Sequence, residues 1–195
     1  MKLLTYLTLC LVIKVRVVLL TPIPDSTVAD TARLEAVVAP SAQIVDVKAM
    51  ADPYPQLNRL AYQVDRLQNL SEWARKKRLN RGVDHVHFIV SPMKEGGVTY
   101  IGGLARRVCT LGSHVAFSMS NYSAYNSQGL PRQRYSAISA AHEIGHALGA
   151  EHRDYTPNIM HSNALFYLSN TSLGWLPETR TDIDRCIIKY GKTRS

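Results

Sequence analysis

No uninterrupted apolar run in this chain is long enough to cross a bilayer as a helix, which takes about 20 residues, so a stable membrane span is not expected. Internal repeats and low-complexity stretches are missing too, which excludes a repeat array. Cysteine is scarce. Cys10, Cys109 and Cys186 are the only three, so the chain can close one internal bridge at most. Acidic residues are the minority charge, 15 against 23 Lys and Arg, for a formal net charge of +8. Such an excess favours acidic partners, such as sulfated glycans or acidic matrix proteins, only through a long-range field. Solvated helix faces are the plainer account, and no nucleic-acid partner is expected. What is present is ordinary. With 195 residues, 46% of them hydrophobic, the chain can bury a real core as one domain.

The N-terminal stretch supports two readings. Met1-Lys2 followed by the apolar run Leu3 to Ile13, with small residues at Thr27-Val28-Ala29, has the layout of a signal peptide over residues 1–29. Lys14 and Arg16 interrupt that run, and Ile13 to Val17 alternates with period two, as a half-buried β-strand would. Removal of a signal would take Cys10 with it. Cys109 and Cys186 would then be either a long-range disulfide or two separate buried thiols. Sequons at Asn69, Asn121 and Asn170 add little to the case for secretion.

Residues 30–50 read as a linker or first strand among prolines, with strand character at Gln43–Val47, and residues 51–195 as the functional domain. Leu57, Leu60, Ala61, Val64, Leu67, Leu70 and Trp73 recur at helical steps and predict an amphipathic helix over 56–79. Its basic end, Arg75-Lys76-Lys77-Arg78, complements the helix dipole. Residues 83–90 predict a central strand, with His85 and His87 on one of its faces as strand-surface residues. Two histidines without further ligands do not make a second metal site. Glycines at 96, 97, 102, 103 and 112 punctuate loops, and His114–Met119 predicts a short strand. Helices follow at Arg134–Leu148 and Asp182–Tyr190, with an apolar segment at Ala164–Leu168 between them.

The distinctive stretch is His142-Glu143-Ile144-Gly145-His146-Ala147-Leu148-Gly149-Ala150-Glu151-His152. His142 and His146, four apart, lie one helical turn apart on the same face, so both rings can reach one metal ion. Gly149 allows the chain to leave the helix and bring His152 back as a third ligand. Three protein ligands leave one tetrahedral position open, the pattern of a catalytic rather than a structural zinc. Glu143 stands beside the first ligand. A bare HExxH arises by chance in helices; the extended HExxHxxGxxH is far rarer.

At these residues the sequence resembles the metzincin metalloproteases. The resemblance implies a Met-containing turn beneath the zinc, supplied here by Pro157-Asn158-Ile159-Met160. Leu70–Ala74, Asp84–Val90, and Ile101–Ala105 followed by Cys109 resemble the reprolysin (adamalysin) branch, which includes ADAM-like, venom and tick salivary enzymes. Cys186 matches the position of the partner of that cysteine. Two positions depart from the branch: Arg153 stands where Asp usually follows the third histidine, and Asn158 where Cys is frequent. Ser162 stands where astacins and serralysins carry Tyr.

The resemblance implies an α+β (α/β) metzincin-type catalytic domain. Its parts are a twisted, mostly parallel sheet with an edge strand over the cleft, a long active-site helix, a Met-turn and a small irregular C-terminal subdomain ending in a helix. It implies a secreted, monomeric zinc endopeptidase with one catalytic ion on His142, His146 and His152. Such an ion makes water more acidic and polarises the scissile carbonyl, while Glu143 carries the proton to the leaving amine. Protein or peptide substrates, extracellular-matrix or host proteins among them, should lie along an edge strand. The resemblance puts that strand at His114, Val115, Ala116, Phe117 and Ser118, and the specificity-pocket wall near His161 and Ser162. The rival is a catalytically impaired metzincin-fold binding protein or decoy, against which stands the intact Glu143.

Overall fold

The computed structural model describes residues 12–21, 31–39, 41–91, 93–95, 98–100, 103–106, 115–121, 132–155, 158–162 and 175–194. The first element is a strand, β1 (Ile13–Thr21). Helix α1 (Thr31–Val38) returns the chain to β2 (Ala42–Ala51), which pairs with β1 in parallel. Two 3-10 turns, Pro55–Leu57 and Leu60–Tyr62, precede α2 (Gln63–Lys76). Next come β3 (His85–Val90), a small hairpin of β4 (Met93–Glu95) and β5 (Val98–Tyr100), then β6 (Gly103–Ala105) and β7 (Ala116–Asn121). Helices α3 (Arg132–Ala147) and α4 (Pro177–Arg194) complete the order.

The main sheet runs β2-β1-β3-β7-β6. Its first four strands are parallel, and β6 is antiparallel at the edge. Parallel strands are covered on both faces and therefore read as near-continuous apolar runs. β1 illustrates this. Ile13, Val15, Val17 and Leu19 face a core shared with α1, α3 and α4, while Val18 and Leu20 face the α2 side with Leu67, Leu70, Val86 and Phe88. In the structure, residues 13–21 form a strand.

The charges within β1 have a local cause. The β1–β2 register shifts between Val15 and Arg16, which brings Arg16 opposite Asp46. Arg16 Nε lies 2.6 Å from Asp46 Oδ1, and its Nη1 also donates to the Leu79 carbonyl. A guanidinium so paired can tolerate a strand that is otherwise apolar.

Four sequence expectations need correction. The stretch 30–50 is not a linker and does not hold the first strand: it builds α1 and most of β2, within which the strand read at Gln43–Val47 falls. The helix expected over 56–79 runs only Gln63–Lys76; the 3-10 turns Pro55–Leu57 and Leu60–Tyr62 take up its expected start, and Val64 is exposed. His85 and His87 are fully buried rather than surface residues, because α3 and α4 cover the sheet face that they occupy. Their rings join β7 through serines: His85 Nε2 lies 2.8 Å from Ser118 Oγ, His87 Nδ1 2.6 Å from the same oxygen, and His87 Nε2 3.0 Å from Ser120 Oγ. Lastly, β7 is not an edge strand. It lies between β3 and β6, with Ala116, Phe117 and Ser118 buried and Val115 half-buried. Its backbone edges are already paired, so an added peptide strand has no place along it. His114, Cys109 and the segment Ala164–Leu168 lie outside the described residues.

Helix α4 is tied deep into the domain. Tyr190 donates its hydroxyl to Asp84 Oδ1 at 3.1 Å, and Asp84 Oδ2 accepts the Lys14 backbone N–H at 2.9 Å. Asn121, one of the sequon asparagines, is buried at the end of β7. No described helix is long and apolar enough to cross a membrane.

Candidate metal centre

Helix α3 buries Ile138, Ala140, Ala141 and Ile144 against the sheet, and this fixes the direction of His142 and His146. The helix ends in a Schellman turn. Ala150 N–H donates to Gly145 O at 2.9 Å, and Gly149 N–H to His146 O at 3.0 Å. Gly149 has φ +98°, a left-handed conformation that disfavours any side chain. The turn returns the chain so that His152 Nε2 lies 3.1 Å from His146 Nε2, the same distance as His142 Nε2 from His146 Nε2.

Among the described residues, these three histidines are the one group that could hold a metal ion, with ligand nitrogens all within 4.8 Å of one another. Their protonation fits that role. A carbonyl oxygen only accepts, so His142 must donate Nδ1–H to Ile159 O at 2.5 Å, and His146 its own Nδ1–H to Ala150 O at 2.9 Å. In neutral rings this leaves bare Nε2 lone pairs turned towards each other. Burial foremost, and then the neighbouring His146, push His142 down to about 3; the Ile159 bond opposes this and His152 adds to it. Lone pairs gathered this closely are repulsive without a cation between them. Zinc–nitrogen bonds near 2.05 Å in a tetrahedron place nitrogens about 3.3 Å apart, close to the observed spacing. The donor set therefore fits zinc. The triad runs from buried His142 through His146 to exposed His152, so the centre opens to solvent on the His152 side.

The floor of the centre is the turn at 158–161. Asn158 organises it. Its Oδ1 accepts Met160 N–H at 2.7 Å, and its Nδ2 donates to Arg153 O at 2.7 Å. Arg153 N–H in turn donates to Met160 O at 2.9 Å. Hydrogen bonds thus close this region at a position where the resembling branch often has cysteine. Met160 is fully buried under α3. An ideal Cβ on Gly145 would lie 2.6 Å from Met160 Sδ, which explains a glycine within a helix.

Glu143 points to the other side of His142 and meets β6. An ideal Cβ on Gly103 would lie 2.5 Å from the Glu143 carboxyl carbon. Burial raises the Glu143 carboxyl to about 8, so it holds a proton far more readily than a solvated carboxylate. His161 is buried, with Nδ1 3.5 Å from Asp154 Oδ1. Exposed Ser162 donates its N–H and Oγ–H to Asp154 at 2.7 and 2.8 Å. Those two bonds hold the Asp154 carboxylate below its ordinary range.

Sequence reasoning missed Gly103, Asp154 and the bond from Arg153 to Asp182 of α4. In the sequence Gly103 reads as loop punctuation and as part of the Ile101–Ala105 resemblance, with no role of its own. The Arg153 bond joins residues 29 positions apart and leaves no local signal. Cys186 lies on α4 beneath Gly149, with its Cβ 2.6 Å from an ideal glycine Cβ. It is disulfide-bonded, to a partner outside the described residues.

Three imidazoles open to solvent on one side, with the buried Glu143 carboxyl group alongside, could hold a metal ion with one position left open, the donor pattern of catalytic sites. The sequence profile of metallopeptidase family M12 matches residues 33–172, and the chain belongs to that family. Protein or peptide substrates follow from that membership. No curated protein matches the chain at a significant level. Among solved structures, the fold is similar to the archaemetzincin of Methanopyrus kandleri (TM-score 0.63, 16% identity, covering 91% of this chain and 96% of that one). It is also similar to a zinc-dependent peptidase of Methanocorpusculum labreanum (0.60, 17%, 87% and 99%). A third similar structure is the archaemetzincin of Archaeoglobus fulgidus complexed with malonate (0.58, 18%, 87% and 99%).

Proposed function

We propose that this chain is a zinc-dependent endopeptidase, with His142, His146 and His152 as ligands and Glu143 as general base. One observation carries the proposal: the Nε2 atoms of three histidines converge beside a buried carboxyl group of raised pKa, next to a strand that is at the sheet edge among the described residues. Zinc held there supplies Lewis acidity towards the scissile carbonyl and the attacking water. Glu143 accepts the water proton and hands it to the leaving amine. Its burial favours the protonated form that the second transfer requires.

β6 is the peptide-binding strand in this proposal. Among the described residues it ends the sheet, with β7 as its one neighbour, and it stands against Glu143. An extended substrate would pair with its other edge. His161 and Ser162, with Asp154 bracing Ser162, wall the primary pocket. Cys109 is the partner we assign to Cys186, and with a bridge of that kind an oxidising, extracellular site of action is the natural setting. A reprolysin-like placement within the family rests on the sequence stretches that resemble that branch.

The test is hydrolysis of casein or gelatin by purified full chain. Cleavage should stop with a chelator and return with zinc. Glu143→Ala should lose about 10²–10⁴-fold in kcat while keeping stoichiometric zinc. Undiminished cleavage by that variant refutes the mechanism. Zinc binding with no cleavage of any protein substrate by the wild type would favour the binding-protein alternative.

A further inference from the structure

His152 is the ligand with the least support from its own backbone. His142 and His146 ride on α3, whereas His152 is exposed and sits in a segment without regular structure. That segment is nevertheless gripped. Arg153, the next residue, bonds through both backbone groups to the 158–160 turn. Its side chain reaches the other way and donates Nη2–H to Asp182 Oδ2 of α4. Arg153 and Asp182 are 29% and 18% exposed, which shields the pair from much of the solvent screening that weakens surface ion pairs. One turn further along α4, Cys186 packs beneath Gly149. Helix α4 therefore touches the ligand-bearing segment on both sides of His152.

We propose that Arg153 and Asp182 form a positioning pair through which α4 sets the placement of His152, and with it the affinity of the centre for zinc. The proposal rests on His152 being a zinc ligand. The Arg153 backbone bonds survive removal of its side chain, so side-chain variants isolate the tether to α4. Partners that orient metal ligands typically change metal affinity by 10–100-fold when removed.

The experiment measures zinc affinity by chelator competition on the full chain, with circular dichroism confirming an equal folded fraction. Arg153→Ala and Asp182→Ala should each weaken zinc binding by about tenfold or more. The double variant should be no weaker than the worse single one, because one bond is lost in all three. Arg153→Lys keeps the charge and should stay within about threefold of wild type. His152→Ala is the control for the ligand assignment. If it loses zinc while Arg153→Ala and Asp182→Ala bind as wild type, the positioning pair is wrong and the ligand stands. Additive losses in the double variant also overturn the pair. If His152→Ala keeps wild-type affinity, the ligand assignment fails and the pair falls with it. Should the alanine variants not fold, Asp182→Asn is read against Arg153→Lys. Weaker zinc binding in Asp182→Asn supports the pair, and wild-type affinity in both overturns it.

Discussion

Gly103 of β6 and Glu143 of α3 meet with no room for a methyl group between them. An ideal Cβ on the glycine would stand 2.5 Å from the carboxyl carbon, and the Met119 carbonyl crowds it from behind. The carbonyl belongs to the sheet and cannot yield cheaply, so a methyl group there displaces β6 itself as well as the glutamate. Gly103→Ala should lower kcat by about 10²-fold through misplacement of the base, with zinc content unchanged. A variant as active as wild type would show that Glu143 has slack.

The His85–Ser118–His87–Ser120 chain predicts how stability depends on pH. Burial lowers His85 to about 3 and holds His87 well below its ordinary value, with His85 adding to the effect. Both are therefore neutral in the fold and take up protons on unfolding below about pH 6.5. Their contribution is intact above that pH and is lost as pH falls towards 3, by up to about 1.4 kcal/mol per pH unit for each ring. His142 of the apo-protein acts in the same direction. The decisive measurement is thus a difference: His87→Gln should show a shallower fall of Tm between pH 6.5 and 4 than wild type. Parallel curves would mean that His87 does not stay neutral.

Gly145 and Met160 predict a packing effect. Alanine at 145 gains about 1 kcal/mol in helix propensity but drives a Cβ to 2.6 Å from Met160 Sδ, inside a fully buried site. Overpacking of this kind typically costs about 1–3 kcal/mol, so Gly145→Ala should destabilise slightly overall. Combined with Met160→Ala it should destabilise by less than the sum of the single variants. A fully additive thermal-melt cycle would contradict the contact.

A chain beginning at residue 30 should fail to fold. It would lack β1, which joins β2 to β3 and fills both cores. The check is cooperative unfolding by calorimetry, and a sharp transition in that truncated chain would contradict the sheet order.

The metal centre was legible because its information is local: two histidines one turn apart, a turn-forming glycine and a third histidine within eleven residues, 142–152. The sheet was less legible because strand order is set by distant pairing. His114–Met119 has the pattern of a strand, but only the arrival of β6 on one flank and β3 on the other makes it interior. His85 and His87 look like surface residues until α3 and α4 cover their face. β1 starts at Ile13, where the apolar run ends, and the charge of Arg16 within it takes its meaning from Asp46 and Leu79. Helix α1 was hidden among prolines, although Thr31–Val38 itself contains none.

The position of β1 also bears on the order of events in synthesis. β1, the first of the described strands, is an inner one, and the Lys14 bond to Asp84 spans 70 residues; the Asp84–Tyr190 bond then spans 106. Contacts this distant in sequence close slowly. β2 can cover one edge of β1 early, but the other edge stays open on the growing chain until β3 is made, and it is vulnerable to aggregation for that interval. Chaperone dependence during production would be the practical sign, and cooling or slower translation the remedy.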